Sequence, residues 1–99
     1  MILEVAEITV KTGSERLFEE GVGKAAPLFL RAKGCHGLSL HRVVQTPSIY
    51  RLVVKWETVD DHVVDFRNSD DFQEWRKLVG PYFDGPPSVT HSECTAFYG

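Results

Sequence analysis

After Thr46-Pro47-Ser48 the chain reads Ile-Tyr-Arg-Leu-Val-Val-Lys-Trp-Glu-Thr, and this alternation constrains the fold more than any other stretch. In an extended chain Tyr50, Leu52, Val54 and Trp56 share one face, while Arg51, Val53, Lys55 and Glu57 share the other. The tryptophan face is the drier one and must be covered. Residues 37–45 are also strand-like, and Thr46-Pro47-Ser48 is turn chemistry of hairpin length, so an antiparallel hairpin is predicted over 37–58.

The remaining elements arrange themselves around this hairpin. Residues 2–11 form a first strand with Ile2, Ala6, Ile8 and Val10 on one parity and Leu3 and Val5 on the other. Thr12-Gly13 is a turn and Ser14 the expected N-cap of a helix whose apolar stripe is Leu17, Phe18, Val22, Ala25, Leu28, Phe29 and Ala32. Pro27 is expected to kink or divide that helix, and Lys33-Gly34 to end it. Asp60 and Asp61 open a short helix carrying Val59, His62, Val63 and Phe66. Ser69 caps a second helix with Phe72, Trp75, Arg76 and Val79 on one stripe, stopped by Gly80-Pro81. Residues 88–98 alternate as a last strand. The order strand, helix, strand, strand, helix pair, strand predicts a ferredoxin-like α+β fold: a four-stranded antiparallel sheet with helices on one face. Leu3, Val5 and Val53 then remain apolar on the open face, and a second subunit packed there would cover them, so a homodimer is expected.

At 99 residues and 42% hydrophobic side chains the chain is expected to form a single domain over residues 1–99. Its 14 acidic and 11 basic residues are scattered, giving a net charge of -3 without the basic stripe that tracks phosphates, so no nucleic-acid partner is expected. No apolar run approaches the roughly 20 residues that span a bilayer, and the N-terminal stretch lacks a basic segment ahead of an apolar one. No membrane partner and a cytoplasmic location are the expectations, with Cys35 and Cys94 as free thiols.

Most of the reactive residue types have an ordinary explanation. Cys35, His36, His41, His91 and Cys94 are metal-ligand types, but adjacency or three-residue spacing in strands puts the neighbours on opposite faces, so no metal site is expected. Gly21 and Gly23 lie in a helix pattern rather than after a strand, which excludes a dinucleotide fingerprint. Ser39 and His41 share a strand face without a third partner, and Asp60-Asp61 is charge suited to a helix N-terminus. Trp56 reads as core, His62 as a histidine at the solvent edge of a short helix, and Arg76 as a side chain lying along the surface.

Taken together, several features resemble the antibiotic biosynthesis monooxygenase (ABM) superfamily of dimeric α+β barrels over nearly the whole chain. They are the opening strand, Gly34-Cys35 after the first helix, the hairpin ending in Trp56-Glu57, His62 with Phe66, and the segment 69–75. The resemblance implies a monooxygenase acting without metal, flavin or other cofactor on a small hydroxyaromatic of quinol or anthrone type, with molecular oxygen as second substrate. Its anthrone-oxygenase-like members use an asparagine four residues before the strand-end tryptophan, a tyrosine six after it and an arginine twenty after it. Trp56 and Arg76 match. His62 stands in the tyrosine's place and Leu52 in the asparagine's, which puts the specific anthrone reaction in doubt.

On that resemblance His62 is the expected proton acceptor, and Arg76 with the Trp56 N–H the expected donors to a phenolate-like oxyanion. Leu52, Phe66 and Phe72 are expected to touch substrate. The haem-degrading branch is not expected, because Ala6 or Glu7, Phe66 and Arg76 fall where its asparagine, tryptophan and axial histidine stand. The alternative is a non-catalytic small-molecule-binding or structural dimer. A closed pocket holding both His62 and Arg76 would separate the two readings.

Overall fold

The apolar rows predicted for strands and helices meet in one layer between a sheet and its helices in the computed structural model, which describes residues 1–99. The elements are β1 (Ile2–Thr9), α1 (Glu15–Leu30), β2 (Cys35–Arg42), β3 (Ile49–Trp56), a π-helical segment (Asp61–Phe66), α2 (Asp70–Val79), a 3-10 turn (Gly80–Tyr82) and β4 (Ser88–Glu93). The sheet is wholly antiparallel in the order β2-β3-β1-β4. This is the predicted ferredoxin-like α+β arrangement, with helices on one face.

On β3, Tyr50, Leu52, Val54 and Trp56 are all buried, and each contributes about 2 kcal/mol of apolar transfer free energy. Phe18, Val22, Ala25, Leu28 and Phe29 of α1 lie over them, with Phe18 tilted against Tyr50 at 4.9 Å and Phe29 edge-on to Trp75 of α2 at 4.9 Å. Arg31 and Asp71 clamp the ends of α1 and α2 together from outside through two hydrogen bonds of 2.7 and 2.6 Å. On the open face Val5 pairs with Val53 and both are half-buried, as is Leu3.

Three local expectations are corrected. Pro27 does not divide α1, which runs unbroken to Leu30. Pro27 and the residue four before it, Gly23, both face solvent, where water satisfies the freed carbonyl, while the buried stripe holds the helix from the other side. Ser14 occupies the N-cap position without a side-chain hydrogen bond, and Glu15 instead accepts the Gly13 N–H at 2.7 Å. The last strand ends at Glu93 rather than residue 98, because pairing with β1 runs out opposite Ile2 and leaves Phe97 and Tyr98 exposed. Ser69 does cap α2, accepting the Phe72 N–H at 3.2 Å. Cys35 and Cys94 are free, at opposite edges of the sheet.

Candidate active site

Strand parity places an acid where the sequence is otherwise apolar. Glu4 shares the inward face of β1 with Ala6 and Ile8, and its register opposite Val54 makes it the diagonal neighbour of Trp56. The Trp56 indole N–H donates to Glu4 Oε1 at 2.8 Å, and Glu4 is only 4% exposed. Burial pushes the Glu4 carboxyl up from its ordinary value; the Trp56 N–H and the charge of Arg67 oppose that shift without cancelling it.

His62 reaches the same spot from the π-helical segment. Thr58 and Asp61 start it reciprocally, Asp61 Oδ2 accepting the Thr58 N–H at 3.2 Å and Thr58 Oγ1 accepting the Asp61 N–H at 3.1 Å. An Arg67 N–H to His62 carbonyl bond at 3.0 Å closes the wide turn and sets Asp61, His62 and Phe66 inward together. Gly34 makes this possible: its φ is +79°, and a Cβ there would overlap the Asp61 carboxylate.

The His62 ring stacks on Trp56 with centroids 5.3 Å apart and planes 15° apart. Its Nε2 lies 3.4 Å from Glu4 Oε1 and its Nδ1 lies 2.8 Å from His91 Nε2 on β4. Burial, then the charge of Arg67 and the neighbouring His91, lower the His62 pKa to about 4. The ring is therefore neutral at neutral pH. Burial and Arg67 also lower His91.

A cavity of about 650 Å³ opens over this cluster. Glu4, Ala6, Ile8 and Leu52 form its sheet side, and His62, Phe66, Phe72 and Trp75 its helical wall. Phe83, Pro86, Pro87 and Val89 close the side toward β4, and Arg67, Arg76 and Lys77 bring three cations to it. Arg67 and Arg76 have no acidic partner in the fold. The chain as a whole is acidic, so this is a local concentration of positive charge over an aromatic interior, suited to a flat ligand that carries or develops negative charge.

Five of the six residues singled out from the sequence, Leu52, His62, Phe66, Phe72 and Arg76, line this one cavity. Trp56 does not: it is fully buried behind Glu4, and its N–H is already given to that carboxyl, so it has none to offer a substrate oxyanion. His62 is not at the solvent edge but 3% exposed. The residues that sequence reasoning missed are Glu4, Arg67 and His91. Glu4 had a signal, as the lone charge in the inward row Ile2, Glu4, Ala6, Ile8; His91 sits opposite Glu4 on the inward face of β4, a register the sequence did not specify. Ser39 and His41 hydrogen-bond to each other at 2.8 Å on the open face, away from the cavity.

The family model described as antibiotic biosynthesis monooxygenase matches residues 1–78. A Bacillus subtilis relative, "Uncharacterized protein YczJ", is 36% identical over 91 residues, which is 92% of this chain and 96% of that protein. Among solved structures, a Bordetella bronchiseptica protein named "Putative antibiotic biosynthesis monooxygenase" is 58% identical, superposes with a TM-score of 0.94 and is matched over 97% of its length and 96% of this chain. A protein of the same name from Nitrosomonas europaea shares the fold at a TM-score of 0.82 and 17% identity, over 97% of this chain and all of that one.

Proposed function

The chain belongs to the antibiotic biosynthesis monooxygenase family, and from that premise we propose that it oxidises a small hydroxyaromatic, of quinol or anthrone type, with molecular oxygen and no cofactor. The observation that carries this reading is the cavity itself: a proton-accepting cluster, aromatic walls and unpaired guanidinium groups face one cavity that is open on one side. A deprotonated hydroxyaromatic reduces oxygen by one electron without help from a metal or flavin. The protein has to take the proton, hold the anion and keep water away.

In this reading Glu4 and His62 act as a pair that accepts the substrate hydroxyl proton. A carboxyl with a raised pKa is better matched to that task than an isolated surface acid. Arg76, with Arg67 beside it, holds the resulting oxyanion, while Phe66 and Phe72, edge-on at 5.8 Å, and Leu52 contact the ring. Trp56 sets the position of Glu4 and His62 without touching substrate. The substrate anion passes an electron to oxygen, the radicals combine to a peroxide anion, and a returned proton allows water to leave as the carbonyl forms. For a quinol the balance is quinol plus oxygen to hydroxyquinone plus water.

The chain works as one domain in a homodimer, with Leu3, Val5 and Val53 buried against the partner, in a reducing cytoplasm that keeps both cysteines as thiols. No helix is long and apolar enough to cross a membrane.

Oxygen consumption with a panel of quinols and anthrones tests the reading. Uptake by wild type and its loss in His62→Ala and Arg76→Ala are expected; equal uptake by all three removes the site. One observation favours the alternative, a non-catalytic binder: Leu52 supplies no amide to the cavity. Saturable binding without uptake on any substrate would establish it.

A further inference from the structure

Glu4, His62 and His91 come from three separate elements, and their polar atoms meet in succession. Glu4 Oε1 lies 3.4 Å from His62 Nε2, and His62 Nδ1 lies 2.8 Å from His91 Nε2. Glu4 and His62 line the cavity, whereas His91 does not; it stands half-buried on β4, an edge strand of the sheet. We infer that these three side chains form a proton relay joining the cavity floor to solvent at the sheet edge, with His91 as its outer terminal. The inference deepens the proposed function and rests on it for the source of the proton, the substrate hydroxyl.

The relay has two tautomeric settings, and one stroke converts the first into the second. In the first, protonated Glu4 turns its O–H toward His62 Nε2 and closes the 3.4 Å contact between them, while His62 Nδ1–H donates to His91 Nε2. Moving both protons outward leaves Glu4 as a carboxylate, His62 protonated on Nε2 alone, and His91 protonated on both nitrogens; His91 then releases its Nδ1 proton to water. Two bonds to hydrogen break and two form within the chain, and no electron moves. His62 gains a proton on one nitrogen as it loses one from the other, so the buried ring next to Arg67 never has to hold a positive charge. The reaction also needs a proton back, when the peroxide anion is neutralised. The reverse stroke supplies it from solvent and resets the tautomers.

The surroundings hold the cluster in place. Trp56 fixes both inner members, through its N–H to Glu4 and its stacking on His62, and the His62 and His91 rings lie 5.0 Å apart. Arg67 is the cation whose charge acts on all three. A polar cluster with only a structural role would have the same geometry, so the test must read proton movement.

Solvent exchange of the His62 ring N–H, followed by nitrogen-edited NMR on the full chain without ligand, is such a readout. His91→Gln keeps a hydrogen-bonding amide but cannot take up and release a proton. Exchange is expected to slow by about tenfold or more in this variant, the scale of losing a positioned proton carrier, with the thermal midpoint unchanged. His91→Thr, a good strand former, serves as the second variant and should behave alike. Equal exchange in wild type and both variants overturns the relay. Oxygen uptake forms the second arm: the relay predicts a lower kcat at unchanged KM and a larger solvent isotope effect in His91→Gln. If no hydroxyaromatic supports uptake, the proposed function falls while the exchange rates still decide on the relay. If uptake in His91→Gln matches wild type, the relay falls and the function stands.

Discussion

The Trp56 indole and the His62 imidazole lie face to face, 5.3 Å apart and 15° from parallel, so that a strand end and a π-helical turn present one stacked surface. The Trp56 N–H emerges from that stack to Glu4, His62 Nδ1 is hydrogen-bonded to His91, and His62 Nε2 lies 3.4 Å from Glu4 Oε1. These side chains are thus held against one another by the fold itself, before any ligand arrives.

Removing the indole N–H while keeping a ring isolates the Trp56–Glu4 contact. Trp56→Phe is expected to cost about 3 kcal/mol, from lost buried area and an orphaned Glu4 carboxyl together. It should also push the Glu4 carboxyl further up, since one of the two influences holding it down is gone. Urea denaturation reads the first effect and carbon NMR of the carboxyl reads the second.

Glu4→Gln should separate stability from activity. The amide keeps the shape and an acceptor for Trp56 without the buried ionisable group, so stability at neutral pH is expected to stay within about 1 kcal/mol of wild type or rise. Turnover should fall by about a hundredfold or more, the usual scale of a lost general base. Parallel melting curves and oxygen-electrode rates check both halves.

Acidification should weaken the fold through His62. Its pKa is about 4 in the folded chain against 6.5 for the free imidazole, so the unfolded chain takes up the proton first. That contribution is fully present above about pH 6.5 and is lost as pH falls toward about 4, by about 3 kcal/mol at most. His91, also lowered, adds to the same slope. Glu4 has the opposite sign: its raised pKa costs stability as pH rises above the ordinary carboxyl range. Urea midpoints across this range should show a flatter acid slope in His62→Gln than in wild type.

Gly34→Ala tests the support under the π-helical segment. A left-handed backbone at φ +79° and a Cβ driven into the Asp61 carboxylate should together cost about 2–4 kcal/mol. Gly13 offers the control: its φ is also positive, at +91°, but nothing lies within 4 Å of an added Cβ, so Gly13→Ala should cost only about 1 kcal/mol. Thermal melts of the two variants give the comparison.

The proposed dimer places Val53 at the centre of a sheet face between Val5 and Ser39. A charge there would be buried without a partner, so Val53→Glu should shift the protein to monomer, losing about 2–4 kcal/mol of association free energy. Sedimentation of wild type and variant across a concentration series measures this.

The sheet and the pocket were legible in the sequence to different depths. Alternation on β3 and helical spacing in α1 and α2 specify which faces meet, because a strand or helix has only one way to bury its apolar row. The pocket positions of Leu52, His62, Phe66, Phe72 and Arg76 came from the family resemblance instead: read alone, His62 looked like a solvent-edge residue and Arg76 like a surface one, because the π-helical turn that carries His62 inward has no spacing signal of its own. What remained hidden depended on register. Whether Glu4 meets Trp56 and His91 meets His62 is decided by how β1 pairs with β3 and β4, and a shift of one residue would turn either side chain outward. Pro27 misled for a related reason: a buried stripe on the far side of α1 outweighs one missing hydrogen bond.

On the proposed function, oxygen itself is inserted into a hydroxyaromatic held between the Glu4–His62 pair and Arg76. Turnover of a quinol under isotopically labelled oxygen, by protein freed of metals and flavin, tests it most directly. One labelled oxygen atom is expected in the product and one in water, at a rate well above the substrate's own autoxidation and lost in Glu4→Gln. Unlabelled product, or a rate no greater than autoxidation with every quinol and anthrone tried, would contradict it.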